Sequence, residues 1–158
     1  MIQISTILGH FHEDSHKQKI SVPYEWFETE KGRILKTAED GTEFGIAVAG
    51  GVRDGDILYE TETLLYVVTL TASQLISISY HNAQEAARIG FELGNRHLSL
   101  KIRDRDILVP YDEPTCLYLQ KLGFEAVPVC ENFSDYIQCR AHGAAPHTHH
   151  HVHEAADA

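Results

Sequence analysis

Short apolar segments alternate with polar turns through the first 70 residues, a pattern typical of β-strands. Four strand-like pieces can be recognised there, with the sequences KISVPYEWF, GRILKTA, EFGIAVA and DILYE. Turn signals at 39–42 and 53–56 separate them, and both contain an Asp and a Gly. No amphipathic helical period of useful length occurs in this stretch. The pattern therefore predicts a β-rich domain over residues 1–70.

The pattern changes character near residue 70. The apolar run LLYVVTL at 64–70 is typical of a buried strand, and Ser73 and its neighbours then predict a helix cap. The following segment has apolar residues on roughly helical spacing, from Leu75 through Ile78 to Leu93. A left-handed residue at Gly94 or Asn95 is expected to end this helix.

Two short strands at 97–102 and 106–109, a helix over 113–122 with Pro114 in its first turn, and a last strand in FEAVPVCENF complete the pattern. The order is β-α-β-β-α-β, the split βαβ or ferredoxin-like arrangement. The predicted fold class is α+β. A ferredoxin-like domain spans 71–140, with its first strand beginning near residue 64, and a tail follows over 141–158.

Charge and hydropathy exclude two classes of partner. The 158 residues contain 13 Lys and Arg against 23 Asp and Glu, a formal charge of −10, and the basic residues are scattered. Nucleic acid is not an expected ligand, since phosphate binding needs a basic face. No apolar run approaches the roughly 20 residues that cross a bilayer, and the first residues lack the pattern of a signal peptide. We therefore expect no membrane partner and a cytoplasmic location.

Histidine is the anomalous residue type, with 11 in the chain and a concentration at its C-terminus. The tail has almost nothing to bury, so it is expected to be disordered without a ligand. Neutral imidazoles bind Ni²⁺, Cu²⁺ and Zn²⁺, so the tail predicts metal binding without choosing the metal. The alternatives are an expression tag or an uninvolved solvated tail, although Thr148 and Val152 interrupt the run. The candidate ligands of the tail are His142, His147, His149, His150, His151 and His153.

His97 lies in the sequence GFELGNRHL, where a helix is expected to give way to a strand. One side chain cannot form a metal site, and a lone histidine is most often structural. A two-fold dimer that pairs near this turn would bring two copies of His97 together, because an isologous interface uses each residue twice. Tail imidazoles could then complete the coordination.

The remaining candidates have simpler interpretations. His10, His12 and His16 form either an exposed polar loop, which is favoured, or a minor metal site. His81 is taken as an ordinary helical residue, and Cys139 with His142 lacks the four ligands of a zinc motif. The three cysteines are interpreted as reduced thiols. Asp112 and Glu113 suit the start of a helix, and no catalytic motif is present, so no enzyme activity is expected.

The chain resembles the urease accessory protein UreE family of nickel metallochaperones. The resemblance covers nearly the whole chain and is carried by EFGIAVAGGVRDGDIL in the first module, GFELGNRHLSL in the second and the histidine-rich terminus. It implies a peptide-binding-like first domain and a second domain that forms a homodimer and binds metal through His97. Ni(II) would be the cargo, with Zn(II) or Cu(II) as competitors. Some relatives have further histidines where this chain reads VPYDEP, so those ligands are not carried over.

The resemblance further implies that Ni(II), captured by paired His97 and the tail, passes to the accessory GTPase UreG and the urease apoprotein assembly. The transfer would be ligand exchange. Three other interpretations stay open: a His-rich nickel or zinc buffer without a dedicated recipient, a protein-interaction module with an incidental tail, and a metal hydrolase. Metal stoichiometry and partner binding distinguish the buffer from a chaperone, and the interaction module predicts full activity without residues 141–158 and His97.

Overall fold

The computed structural model describes residues 1–138, and the segment 139–158 lies outside the described residues. The fold is mixed α and β, rich in strands, as predicted. The elements in chain order are β1 (Ile2–Ile4), β2 (Gly9–His10), β3 (Gln18–Tyr24), a short 3-10 helix (Trp26–Glu28), β4 (Ile34–Thr37), β5 (Glu43–Ile46), β6 (Asp56–Glu60), β7 (Leu64–Leu70), β8 (Ser73–Ser79), α1 (Ala83–Asn95), β9 (Lys101–Ile102), β10 (Asp106–Pro110), α2 (Glu113–Lys121) and β11 (Ala126–Glu131). Neither α1 nor α2, the α-helices within this range, is long and apolar enough to cross a membrane.

The first half of the chain folds into two small sheets that share one core. One sheet has the order β2-β6-β7-β3, with β3 parallel to β7, and the other has the order β1-β5-β4. Phe44, Leu58 and Val68 lie in the core between them with almost no exposed surface. Their burial explains why this half needs no long helix, since the sheets cover each other's apolar faces.

The second half forms one antiparallel sheet of order β11-β8-β10-β9, with α1 and α2 in the connections between its strands. Alternation along β8 divides its side chains between two faces of the sheet. Ile76 and Ile78 join Ile89 and Leu93 of α1 in the helix-side core, whereas Leu75 belongs to a separate cluster on the opposite face. We refer to that opposite side as the open face.

Two predictions for the segment around residue 70 were wrong: that the strand at 64–70 begins the second domain, and that a helix begins after Ser73. The strand at 64–70 belongs to the first half, where β7 pairs with β3 and β6. The segment expected to begin a helix at Ser73 is β8, and α1 begins only after Asn82, whose side chain accepts a hydrogen bond from the Glu85 amide. Ile76, Ser77, Ile78 and Ser79 alternate between apolar and polar as a strand does, and the helical interpretation gave this short signal less weight than the longer run of apolar residues that follows.

A third cluster of side chains joins the two halves. The Trp26 ring from the first half lies edge-on to Phe133 and to Tyr136, with ring centroids 5.1 and 5.3 Å apart. Phe133 and Tyr136 stack on each other at 4.8 Å. Phe133 is fully buried against Leu75 and Leu108 on the open face. The cluster therefore connects the first half to the second sheet through aromatic packing.

An ionic network also lies on the open face. Asp106 accepts hydrogen bonds from Arg103 Nε at 2.7 Å and from the Ser77 hydroxyl at 2.5 Å. Arg103 also bridges to Glu131 at 2.7 Å. The hydrogen bond that Arg103 donates is the main reason that the pKa of Asp106 lies below the usual range of an aspartate. The folded state therefore favours the ionised carboxylate.

Replacing Asp106 with asparagine should lower the free energy of unfolding at pH 7 by about 1–2 kcal/mol, because a charge-assisted hydrogen bond with Arg103 is lost. A carboxyl whose pKa is lowered by folding stabilises the protein above its unfolded pKa, and this contribution disappears as the pH falls through the folded pKa. The difference between wild type and variant, measured by urea denaturation, should therefore persist from pH 7 to about pH 5 and shrink between about pH 5 and about pH 2. A difference that stayed constant would show that ionisation of Asp106 is not involved.

Candidate metal centre

His97 occupies the turn immediately after α1. The Leu98 amide donates to the Leu93 carbonyl at 3.2 Å, and the His97 amide donates to the Gly94 carbonyl at 3.0 Å. These two hydrogen bonds define a Schellman motif, in which the residue after the helix cap adopts a left-handed conformation. His97 has φ of 56°, in agreement with that position. The contact that usually accompanies the motif is present too, since Leu93 and Leu98 share the helix-side core.

The expected end of the helix was therefore placed too early. Gly94 and Asn95 are helical, and the left-handed residue is His97. Glycine usually fills this position because a side chain there costs roughly 1 kcal/mol. Histidine is compatible with this position, because His, like Asn and Asp, is enriched in the left-handed region among the residues other than glycine. The His97 side chain is exposed.

Arg96 fastens this turn to α2. Its guanidinium lies 4.3 Å from the centroid of the Tyr118 ring and 3.5 Å from the Thr115 hydroxyl. The Tyr118 hydroxyl in turn donates to Glu92 of α1 at 2.8 Å. The cation-π contact and the two hydrogen bonds tie the C-terminal end of α1 to the first turns of α2. The position of His97 is thus set by both helices.

The acidic start of α2 has the structural role that the sequence predicted. Asp112 caps the helix, accepting hydrogen bonds from the amide and the hydroxyl of Thr115 at 3.0 and 2.7 Å. The hydrogen bonds from Thr115 lower the pKa of Asp112, and the nearby Arg96 acts in the same direction. Thr115 thus connects the two features, because its hydroxyl contacts both Asp112 at the cap and Arg96 in the turn that precedes His97.

The described chain ends close to this turn. Leu100 and Ile137 exchange two backbone hydrogen bonds, of 3.1 and 2.7 Å, in an isolated antiparallel bridge. Residues exchanging both bonds have Cα atoms about 5.5 Å apart. His97 precedes Leu100 by three residues, a path of at most about 11 Å. The segment after residue 138 therefore begins in the neighbourhood of His97.

The other histidines of the described region are not gathered with His97. The rings of His10 and His12 lie 6.0 Å apart, and His10 Nδ1 is 3.8 Å from Asp56. His81 precedes the cap of α1 rather than lying in the helix, and its ring contacts Glu85 at 3.1 Å. Across residues 1–138, no group of three or more His, Cys, Asp or Glu side chains could hold a metal. Any site at His97 therefore needs ligands from outside this region or from a second chain.

The predicted ligands of the tail lie outside the described residues, as does Cys139. Those ligands are His142, His147, His149, His150, His151 and His153. Within the described region Cys116 is buried in α2, Cys130 is exposed on β11, and both are free thiols. These two are consistent with the expectation of reduced cysteines.

Sequence reasoning missed the residues that support His97. Arg96 stands directly before it, and that adjacency was an available signal. Tyr118 and Glu92 gave no signal, because their contact joins positions 26 residues apart. The pairing of Leu100 with Ile137 was equally hidden, since it joins a short loop to a segment beyond the last strand.

Comparison with known proteins identifies matches over both halves. The family model for the UreE urease accessory protein, N-terminal domain, matches residues 4–71, and that for the C-terminal domain matches residues 73–157. Urease accessory protein UreE of Bifidobacterium longum subsp. infantis is 45% identical over 129 residues, covering 82% of this chain but only 58% of that relative. UreE of Acetivibrio thermocellus is 28% identical over 144 residues, covering 88% and 94%. UreE of Helicobacter pylori strain Shi470 is 30% identical over 131 residues, covering 77% and 76%.

Proposed function

Because the chain belongs to the UreE urease accessory protein family, we propose that it is a metallochaperone that binds Ni(II) as cargo and delivers it for assembly of the urease active site. Two copies of His97 bind the ion at the interface of a homodimer, and histidines of the tail complete its coordination. The recipient is the accessory GTPase UreG within the complex that matures the urease apoprotein in the cytoplasm. Zn(II) and Cu(II) compete for the same imidazoles.

The exposed imidazole of His97, on a turn held by both helices, is the observation that carries this proposal. An exposed imidazole stands where a helix end favours glycine, and Arg96, Tyr118 and Glu92 hold that turn in place. Metal ligands need such fixed geometry, because affinity depends on the direction of each donor atom. Imidazole nitrogen is a suitable donor for Ni(II), which it binds more tightly than Fe(II) or Co(II).

Two exposed apolar side chains on the helices next to His97 support the homodimer. Phe91 and Leu117 have 67% and 58% of their surface exposed. They are sequence neighbours of Glu92 and Tyr118, whose hydrogen bond links the two helices. Phe91 lies about 9 Å along the helix from the His97 turn, at 1.5 Å per residue. Self-association through these two helices would cover exposed apolar side chains and place the two His97 turns near the symmetry axis.

The two domains have different roles in this proposal. We propose that residues 1–70 form a peptide-binding-like domain for protein contacts, and that residues 71–140 form a ferredoxin-like domain for dimerisation and metal binding. The all-antiparallel order β11-β8-β10-β9 supports the second assignment. Residues 141–158 form the His-rich tail. Transfer then requires only stepwise exchange of imidazole ligands for those of the recipient, with no bond-making catalysis.

Nickel stoichiometry by equilibrium dialysis tests the proposal on three chains: the full chain, a chain ending at Arg140, and that shorter chain carrying His97→Ala. We expect the chain ending at Arg140 to bind one tight Ni(II) per two subunits, because an isologous interface supplies two imidazoles from one position. His97→Ala should abolish this site. The full chain should bind further ions through the tail.

A His-rich buffer predicts a different result from the same experiment. All nickel binding would then lie in the tail, and the chain ending at Arg140 would have no tight site. Pull-down with purified UreG adds a second criterion, since a buffer without a dedicated recipient forms no complex with the GTPase. Tight binding that survived His97→Ala in the shorter chain would contradict the proposed site directly.

A further inference from the structure

The small sheet of order β1-β5-β4 has one face on the first core and the other face at the surface of the protein. Phe44 and Ile46 of β5 are buried on the core side. Side chains alternate along a strand, so Gly45 and Ala47 belong to the outer face, where Ala47 is exposed. Leu35 of β4 lies on the same face with 71% of its surface exposed, and no large apolar residue within 1–138 is more exposed. Apolar surface therefore meets solvent on this face.

The strand register makes a groove on the outer face. Leu35 and Gln3 lie on either side of Gly45, because β4 and β1 both pair with β5 at that residue. Gly45 has no side chain, so its backbone forms a floor between two walls. The floor continues to Ala47, with Arg33 at that end. We call this space, of about 450 Å³, the outer groove.

Gly45 is an unusual residue for the middle strand of this sheet. Its φ does not lie in the left-handed region, so the backbone conformation does not require glycine. The three nearest atoms that an added Cβ would meet all belong to the Gln3 amide, at 2.7 to 3.0 Å, and that flexible side chain can rotate away. Glycine inside a strand weakens it and often marks a place where another backbone or a ligand approaches closely. Close approach from outside therefore accounts for Gly45 better than packing within the sheet.

One positive charge marks an end of the outer groove. Arg33 is exposed and is the charged residue among those that line the groove in the described structure. Within residues 1–138 it forms no ion pair, although the chain has a formal charge of −10 and offers more acidic than basic partners. Arg33 and Leu35 are two positions apart on one face of the chain, a separation of about 7 Å. The groove therefore combines an apolar contact with a cation that complements an acidic group.

We propose that the outer groove docks an extended segment of a partner protein in which one position separates an apolar residue from an acidic residue. The apolar side chain lies on the Gly45 floor against Leu35, and the carboxylate pairs with Arg33. An extended segment directs every second side chain to the same side, so both contacts form together. The inference rests on the proposed role of residues 1–70 in protein contacts, to which it adds a location and a chemistry.

The probe is the capped peptide acetyl-Thr-Leu-Thr-Asp-Thr-amide, and a peptide with Lys in place of Asp is its control. Each peptide is titrated into the metal-free, ¹⁵N-labelled full chain, and the amide signals of Leu35, Gly45 and Ala47 are followed. We expect the Asp peptide to shift these signals and the Lys peptide to bind about three- to ten-fold more weakly, because Arg33 attracts one charge and repels the other. Equal affinity for both peptides, or no shift at these three amides, would overturn the proposal.

A charge swap at Arg33 tests the acidic contact with the same measurement. In Arg33→Glu the preference should reverse, so that the Lys peptide binds more tightly than the Asp peptide. A variant that merely disturbed the groove would weaken both peptides alike. An unchanged preference for the Asp peptide would show that its carboxylate does not pair with Arg33.

Gly45→Val fills the floor of the groove. Valine suits a strand, so the free energy of unfolding should equal or exceed that of wild type while the affinity for the Asp peptide falls by at least about ten-fold. Leu35→Ser should weaken binding to a similar extent, because it removes the apolar wall. Leu8→Ser is the matched control, since Leu8 is 54% exposed and lies outside the groove. Wild-type affinity in folded Gly45→Val, or in Leu35→Ser if Gly45→Val does not fold, would overturn the proposal.

Two further measurements separate this inference from its alternatives. A change in subunit number for Leu35→Ser, measured by sedimentation equilibrium, would assign the groove to a second copy of this chain and overturn docking of a partner. Nickel dialysis distinguishes the inference from the proposed function, because the groove lies in the first half of the chain and His97 in the second. Peptides bound without preference by a chain with an intact nickel site would overturn the docking site alone. A chain that distinguishes the peptides but lacks a nickel site at His97 would support the docking site and contradict the metallochaperone.

Discussion

Replacing His97 with glycine is expected to lower the nickel affinity of the shared site by more than about 100-fold while keeping the fold intact. The loss is large because each dimer loses two imidazoles, and even outer partners of a ligand are worth 10–100-fold. The fold is retained because glycine adopts the φ of 56° at this position without strain. We expect the free energy of unfolding to stay within about 1 kcal/mol of wild type.

His97→Val is compared with His97→Gly, in order to separate the loss of the imidazole from the strain of the left-handed backbone. It removes the same imidazoles, but a β-branched side chain is poorly tolerated in the left-handed region. In the chain ending at Arg140 it should therefore lose the shared nickel site and also about 1–2 kcal/mol of stability. Dialysis against Ni(II) and urea denaturation of the metal-free proteins give the two quantities separately. Tight nickel binding retained by both variants of the chain ending at Arg140 would show that His97 is not a ligand.

The second large effect is expected at Leu93, which is fully buried where α1 packs on the sheet. Leu93→Ala should lower the free energy of unfolding by about 2–5 kcal/mol, because it removes buried methyl groups and leaves a cavity. The carbonyl of Leu93 also accepts hydrogen bonds from Arg96 and Leu98, so looser packing there disturbs the turn at His97. Urea denaturation followed by circular dichroism measures the change.

Leu8→Ala provides the control for Leu93→Ala, since the same atoms are removed from a side chain that is 54% exposed. Its effect should stay within about 0.5 kcal/mol. A loss below about 1 kcal/mol for Leu93→Ala would indicate that α1 is not held on the sheet through this residue. The nickel affinity of the variant, measured under conditions where it is folded, then shows whether the turn depends on this packing.

The sequence predicted most of this architecture because several signals were local. Asp112 and Pro114 mark the start of α2, and the order of elements after β8 follows from turns and caps. The assignment of Leu75 and Ile78 to a helix was wrong, because the alternation of Ile76 and Ile78 with serines is short and the apolar spacing of α1 was extended back over it. The cover on the open face comes from Phe133 and Trp26, which local periodicity cannot reveal.

In the candidate site too, local signals could be read from the sequence and tertiary contacts could not. His97 was identifiable as a candidate because it is a histidine at a helix end in a recognisable motif. Its left-handed conformation was placed on Gly94 or Asn95, since propensity favours those residues at a helix end. The packing of Leu93 and Leu98 extends the helix past both of them. The contacts of Arg96 with Tyr118 and of Ile137 with Leu100 depend on tertiary structure alone.

The aromatic junction between the two halves also gives the protein a built-in optical probe. Trp26 is the only tryptophan in the sequence, so all indole emission comes from this one place. Its ring is packed against Phe133 and Tyr136, an apolar setting that shifts indole emission towards the blue. Opening of the junction would bring the ring into water and shift that emission towards the red. The spectrum of the unlabelled protein therefore reports the state of the junction while a partner or a metal binds elsewhere.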